Sequence, residues 1–236
     1  MTDAPGRVAL LDWDNSLHDG FTMGPWLHAL ARDAHEAAAA RRFDDALAGF
    51  QAGRLDYDAF VVFAEQLYTG LAAGRLVAEV EAIAGRLVPD DPLRPGAREL
   101  VAALLARGIR PVLISGAPIE VLRAHAAALG FAPDDVTGWT LARDGERYAG
   151  RLVENTARGG TKARIVARLV ADGATVELGL GDTDADRPLV EAARIGAWID
   201  PAAPDERARV TWTDRETGIP TTGSLIDLAE SIATLT

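Results

Sequence analysis

"VALLDWDNSL", residues 8–17, is the stretch on which the fold turns. Four apolar residues, Val8 to Leu11, run straight into two aspartates, Asp12 and Asp14, one residue apart. A short apolar run bounded by polar residues reads as a buried strand. Two acids spaced by one point the same way on an extended strand, but they diverge where the strand gives way to a loop. Asn15 favours that exit, because Asn tolerates left-handed backbone better than most residues. One carboxylate is then free to attack and the other to move protons. Taken alone, the same residues also suit a simple turn.

Two further runs read as buried strands, "IRPVLIS" (109–115) and "TVELGLGD" (175–182), and each ends on a polar residue. Helical patterns lie between the runs. One covers 95–107, opening with Pro95 and stopping at Gly108; another covers 118–129, closing before Gly130. Strand, helix, strand, helix at this spacing predicts an α/β fold, a doubly wound, Rossmann-like parallel sheet that binds ligands at the carboxyl ends of its strands. Residues 19–90 break the alternation with successive helices over about 24–40, 43–52, 57–72 and 77–87, with Asp56 as an N-cap. They predict a helical cap domain (19–90) inserted into a core domain made of 1–18 and 91–236. Residues 139–153 read as two strands joined at Asp144 and Gly145.

Composition narrows the chemistry. With 236 residues the chain has enough length for one good core and a smaller appendage. No apolar run reaches the roughly 18 residues of a membrane helix, and the acidic start "MTDAPGRVAL" lacks the features of a signal peptide, so a cytoplasmic protein is expected. Cysteine is absent, which removes thiolate nucleophiles and thiolate metal sites. Any metal must be held by oxygen or imidazole, and 35 acids against four histidines favour oxygen. The net charge of −11 argues against nucleic acid, and no membrane partner is expected. A monomer or a homodimer is equally compatible with the sequence.

Three other segments place reactive groups at strand or helix ends. "LISGAP" sets Ser115 and Gly116 where a hydroxyl and turn N–H groups can hold phosphate oxygens, although Ser-Gly is also a common turn. "GGTKARIV" puts Lys162 in a helix's first turn, where the dipole disfavours a cation unless anions or water hold it. "GLGDTDADRP" supplies Asp182, Asp184 and Asp186, which also fit an acidic surface loop. A serine hydrolase built on Ser115 is disfavoured, because the Gly-x-Ser-x-Gly elbow is absent and no His follows at a suitable distance.

These pieces in this order resemble the haloacid dehalogenase (HAD) superfamily, whose pattern is Asp-x-Asp-x-Thr/Ser, then Ser or Thr, then Lys, then Gly-Asp-x-x-x-Asp. Here the matching residues are Asp12, Asp14 and Ser16, then Ser115, Lys162, and Gly181-Asp182 with Asp186. The position of the insert, with "LRPGARELVAALLARGI" and "DGERYAGRLV", looks like the phosphoserine phosphatase branch (subfamily IB). The resemblance implies a phosphatase of a small phosphomonoester that works through an aspartyl-phosphate. Asp12 would be the nucleophile and Asp14 the acid and base. Ser115, Gly116 and Lys162 would bind phosphate, and Asp186 would support the site from behind. Converging carboxylates repel one another unless a cation joins them, and Mg2+ suits oxygen ligands. Asp12, the carbonyl of Asp14, and Asp182 would be the ligands. A phosphotransferase to an alcohol, or a non-catalytic phosphate or metal binder, are the alternatives.

The resemblance thins over the substrate. The Glu that grips the amine of phosphoserine falls on Phe21, the Arg that grips its carboxylate falls within "FVVFA" (60–64), and Ala185 stands where Asn is usual. Burying an amino acid's charges against apolar groups costs several kcal/mol, so a less charged leaving group is expected. Phe21, Met23 and Trp26 are the candidates for an apolar wall over it, with Arg54 and Arg158 as possible anchors for an anionic tail. Ser16 is expected to bond loop backbone, and His18 lies near the chemistry.

Overall fold

The protein is described here by a computed structural model, over residues 6–90, 92–157, 160–200 and 209–235. Arg158 lies outside the described residues. The sequence's first strand is β1, Arg7–Leu11; the second and third are β2, Arg110–Pro118, and β5, Thr175–Gly181. β3, Val136–Asp144, and β4, Arg147–Glu154, form the expected hairpin. With β6 (Ile195–Asp200), β7 (Arg209–Asp214) and β8 (Pro220–Gly223), they make one eight-stranded sheet. Its order is β4-β3-β2-β1-β5-β6-β7-β8, parallel from β3 to β6 and antiparallel at both edges.

The central strands are continuously apolar because both faces of the sheet are covered. Alternate residues of β1 face opposite ways. Ala9 and Leu11 join the cluster built with Leu100 and Val101 of α5 (Ala97–Ala106), Leu122 of α6 (Ile119–Leu129) and Leu228 of α9 (Leu225–Ala233). Val8 and Leu10 face Ile165 and Val166 of α7 (Thr161–Ala171) and Leu189 of α8 (Arg187–Ala192).

Four helices follow β1: α1 (Met23–Asp33), α2 (Ala37–Gln51), α3 (Tyr57–Ala72) and α4 (Val77–Leu87). Asp56 caps α3 by accepting from the N–H of Ala59 at 2.7 Å. The helix expected over 24–40 is corrected to two pieces, because His35 takes a left-handed φ of 57° and turns the chain back. The alanine-rich run has no Gly or Pro to mark that turn, and its gain is tertiary: α2 doubles back to bury Ala39 and Phe43. The helices share an apolar cluster of Met23, Trp26, Phe43, Phe60 and Tyr68 that continues onto Val121 of α6 and Trp139 of β3. The chain leaving α3 also pairs with the edge hairpin, through Gly74 N–H to the Tyr148 carbonyl at 2.8 Å and Tyr148 N–H to the Arg75 carbonyl at 3.0 Å. The helical unit therefore rests against the half of the sheet that carries β2, β3 and β4.

Candidate active site

β1 lies between β2 and β5, so the segments that leave these three strands emerge side by side. Asp12 follows β1, and its N–H bonds the Leu180 carbonyl at 3.1 Å. Ser115 lies in β2 where the pairing with β3 shifts register between Ile114 and Pro118, Asp182 follows β5, and Lys162 is the second residue of α7. Lys162 Nζ donates to Asp12 Oδ1 at 2.7 Å and also to Asp186 Oδ1. All three are almost completely buried. Oxygens of Asp12, Asp182 and Asp186 lie within 4.8 Å of one another.

Electrostatics follow from this crowding. Burial pushes the Asp12 carboxyl up to about 7; Lys162 opposes the rise, and the nearby Asp186 and Asp182 add to it. Asp182 is pushed up to about 6, by burial first and then by Asp186, with Lys162 and a hydrogen bond from Asn15 opposing. Burial works against the charged form of Lys162, yet Asp12 and Asp186 outweigh it and hold the ammonium above its ordinary range. One ammonium among three carboxylates leaves negative charge unbalanced, and an all-oxygen donor set of this kind fits a hard divalent cation. Asp186 is the least available of the three. Its second oxygen already accepts from the N–H groups of Asp182 and Thr183, at 3.3 and 3.1 Å, and from the Thr183 hydroxyl at 3.0 Å. Asp12 and Asp182 are thus the freer candidates to ligate a cation. Gly181 makes this packing possible, since a Cβ there would stand 2.2 Å from that of Asp186.

Asp14 is held apart from Asp12 by its own partners. Asn15 has the left-handed φ of 55° that the exit from the strand requires. Asp14 Oδ1 accepts from the N–H of Thr22 at 3.0 Å and from the Thr22 hydroxyl. Trp13 Nε1 donates to that hydroxyl oxygen at 3.0 Å, which commits the hydroxyl proton to Asp14. His18 stacks on Trp13 at 5.5 Å between centroids and bonds the Gly20 carbonyl through Nδ1 at 3.2 Å, so its ring is used in building the loop. Arg94, 6% exposed, donates to the Asn15 carbonyl at 3.0 Å and pairs with Asp19 at 3.2 Å.

Ser115 Oγ is fully buried and has no hydrogen-bond partner among the described residues. A buried hydroxyl without a partner is costly, and an anion at this strand end would relieve it. The Ser115 carbonyl accepts from the Thr156 hydroxyl, and Gly116 beside it is half-buried, with Ala157 3.3 Å from where a Cβ would stand. Ser16 Oγ, also buried, has no partner either, which corrects the expectation that it bonds loop backbone: the loop's N–H groups are taken by carbonyls such as Trp13 and Gly20.

The expected apolar wall is corrected in part. Met23 and Trp26 are packed inside the helical cluster, 1% and 0% exposed, because the helix that carries them turns that face inward. Phe21, 40% exposed, is the member with surface to offer. Arg54 is exposed and donates to the Ala48 carbonyl at 3.4 Å. Asp184 is exposed and pairs with Arg187 at 2.6 Å. Sequence reasoning passed over Thr22, Arg94 and Thr156. Arg94 and Thr156 sit 79 and 41 residues from the groups they hold, Thr22 eight across an irregular loop, and no spacing rule ties them together.

The comparisons with known proteins agree with this arrangement of strands. A phosphoserine phosphatase from Halobacterium salinarum is 35% identical over 132 residues, covering 54% of this chain and 62% of that protein, so the match spans about three-fifths of the relative's length. Among solved structures, a protein of unknown function from Bordetella pertussis Tohama I superposes with a TM-score of 0.64 at 25% identity, over 80% of this chain and 87% of that one. A phosphoserine phosphatase from T. onnurineus gives 0.55 at 22% identity, over 98% of this chain and 96% of that one, and shows the shared fold. The family model described as haloacid dehalogenase-like hydrolase matches residues 9–191, and the chain belongs to that family.

Proposed function

We propose that this protein is a magnesium-dependent phosphatase of a small phosphomonoester, with residues 19–90 acting as a cap over a core of 1–18 and 91–236. The observation that carries the reading is one juxtaposition: Lys162 bridging Asp12 and Asp186, with Asp182 in the same cluster and the unpartnered Ser115 hydroxyl at the neighbouring strand end. No binder needs the additional acid, Asp14, that the Thr22 side chain and N–H hold in place beside this cluster.

In this reading an Asp12 oxygen attacks phosphorus in line and forms an aspartyl-phosphate as the bond to the leaving oxygen breaks. Asp14 gives that oxygen its proton. Asp14 then takes a proton from water as the water attacks the aspartyl-phosphate, and inorganic phosphate leaves with Asp12 restored. Lys162 offsets phosphate charge, Ser115 and the N–H of Gly116 hold its oxygens, and Asp186 fixes Lys162. Asp12, Asp182 and the Asp14 carbonyl would hold Mg2+, which supplies further charge neutralisation when bound.

The test is release of phosphate from p-nitrophenyl phosphate by the purified protein with magnesium. Chelation should remove the activity, and Asp12→Asn should abolish it. Substantial turnover by Asp12→Asn refutes the nucleophile assignment.

A further inference from the structure

The group that leaves with the substrate's oxygen must pass Asp14, since a general acid works within hydrogen-bond reach of the oxygen it protonates. Asp14 is tied to Thr22, so Phe21 is the adjoining residue on that side. From the helical unit, α3 crosses the same end of the sheet. Tyr57, Val61, Glu65 and Tyr68 share one face by helical spacing. Glu65 accepts from Asn155 at 3.2 Å, next to the Thr156 that bonds the Ser115 carbonyl, and Tyr68 donates to Glu120 of α6. That face is therefore the one toward the core, and Tyr57 lies at its first turn. The Tyr57 phenol is raised by burial first, and it also feels the charges of Lys162, Asp186 and Asp12.

Phe21 and Tyr57 are also two of the larger exposed apolar side chains, 40% and 48% exposed. They stand on a common floor. Phe21 packs on Phe60 at 6.2 Å between centroids; Phe50 stacks on Phe60 at 5.1 Å and meets Tyr57 at 6.0 Å. Phe60 is itself buried, and Phe43 backs it at 5.9 Å. Two exposed rings braced by buried rings form a fixed aromatic surface rather than loose side chains.

We propose that Phe21 and Tyr57 are specificity-determining residues, the two walls of a leaving-group subsite that takes an uncharged, flat, apolar alcohol. This rests on the phosphatase reading above and names its substrate class. An aromatic leaving group would gain ring contacts on both walls, while a carboxylate, such as the one phosphoserine carries, would lose water between them without a partner.

The experiment compares kcat/KM for benzyl phosphate, ethyl phosphate and phosphoserine, with p-nitrophenyl phosphate as the control for basic chemistry. Benzyl and ethyl phosphate release similarly basic alkoxides, so their ratio reports the subsite and not the bond broken. Benzyl phosphate is expected to exceed both others by about tenfold. Phe21→Ala and Tyr57→Ala should each pull the benzyl-to-ethyl ratio toward one, mainly through KM for the benzyl ester. Tyr57→Phe should keep the ratio, as both residues are exposed and the ring is retained. Equal rates on benzyl and ethyl phosphate, or preference for phosphoserine, overturn the subsite alone while the p-nitrophenyl ester is still hydrolysed. Failure on every ester overturns the phosphatase reading and the subsite with it.

Discussion

Thr22→Val separates the proton transfer proposed for Asp14 from the rest of the proposed chemistry. Val matches Thr in shape, so the substitution removes a hydroxyl and little else. Two hydrogen bonds go with it, the one given to Asp14 and the one received from Trp13 at 3.0 Å. Trp13 has no exposed surface, and a buried N–H without an acceptor costs about 1–3 kcal/mol. Adding the charge-assisted bond, discounted because Asp14 is only half-buried, gives about 2–4 kcal/mol in all. For a chain of this size that lowers Tm by about 5–10 °C, readable by circular dichroism. Asp14 keeps the Thr22 N–H at 3.0 Å, so it is misoriented rather than released. The effect on kcat/KM should then be about 10–100-fold for an alkyl phosphate, part of the range general acid catalysis supplies. For p-nitrophenyl phosphate the leaving group departs without a proton, and kcat/KM should change little. Thr22→Ser should restore most of both. Equal losses on the two esters, or a Ser variant as impaired as Val, would refute the relay from Trp13 through Thr22 to Asp14.

Three further outcomes are expected. Asp12 and Asp182 lie at about 7 and about 6 without a cation, above their unfolded values, so their contribution to stability is full in acid and fades as pH rises through those values. Magnesium competes with those protons; its gain in Tm should be larger at pH 8 than at pH 5.5, and a gain independent of pH contradicts the ligand assignment. Gly181→Ala should drive Asp186 away from Lys162, lowering both Tm and turnover, whereas wild-type values would show that the 2.2 Å approach has slack. Tyr68→Phe leaves the buried Glu120 with Tyr148 as its remaining phenol donor, at 2.7 Å, and should cost about 1–3 kcal/mol. Burial already raises Glu120, and losing a donor raises it further, so its stabilising contribution is full in acid and lost as pH rises. Urea denaturation should therefore show a larger Tyr68→Phe deficit at pH 8 than at pH 5.

The elements that position the site were legible because their signals are local. β1, β2 and β5 are apolar runs closed by polar residues, and α3 and α4 match the expected 57–72 and 77–87 to the residue, since Asp56 and the Gly74 turn punctuate them. The break at His35 was hidden, because its cause is the packing of Phe43 against Phe60 of α3, 17 residues on in sequence. β6 to β8 and α9 carry no comparably long apolar run and went unread; β7 and β8 lie at an antiparallel edge where alternation is short.

Within the candidate site, the side chains that the structure brings together could be read in the sequence, and the groups that hold them in place could not. Asp12, Ser115, Lys162 and Asp182 announce themselves as polar residues ending apolar strands or opening a helix, positions that packing alone does not favour. Thr22 and Arg94 look like ordinary loop residues in sequence. Their importance comes from a loop that carries the chain from Asp12 past Asn15 and back to Thr22, and from the connection between α4 and α5, 79 residues on, that sends Arg94 to the Asn15 carbonyl. The same contrast sets the expected consequences of mutation. In the proposed mechanism, removing Asp12 deletes a reactant, so its effect should be all-or-none on every ester. Changing Thr22 or Arg94 alters only orientation, so the loss should scale with how much the leaving group needs its proton.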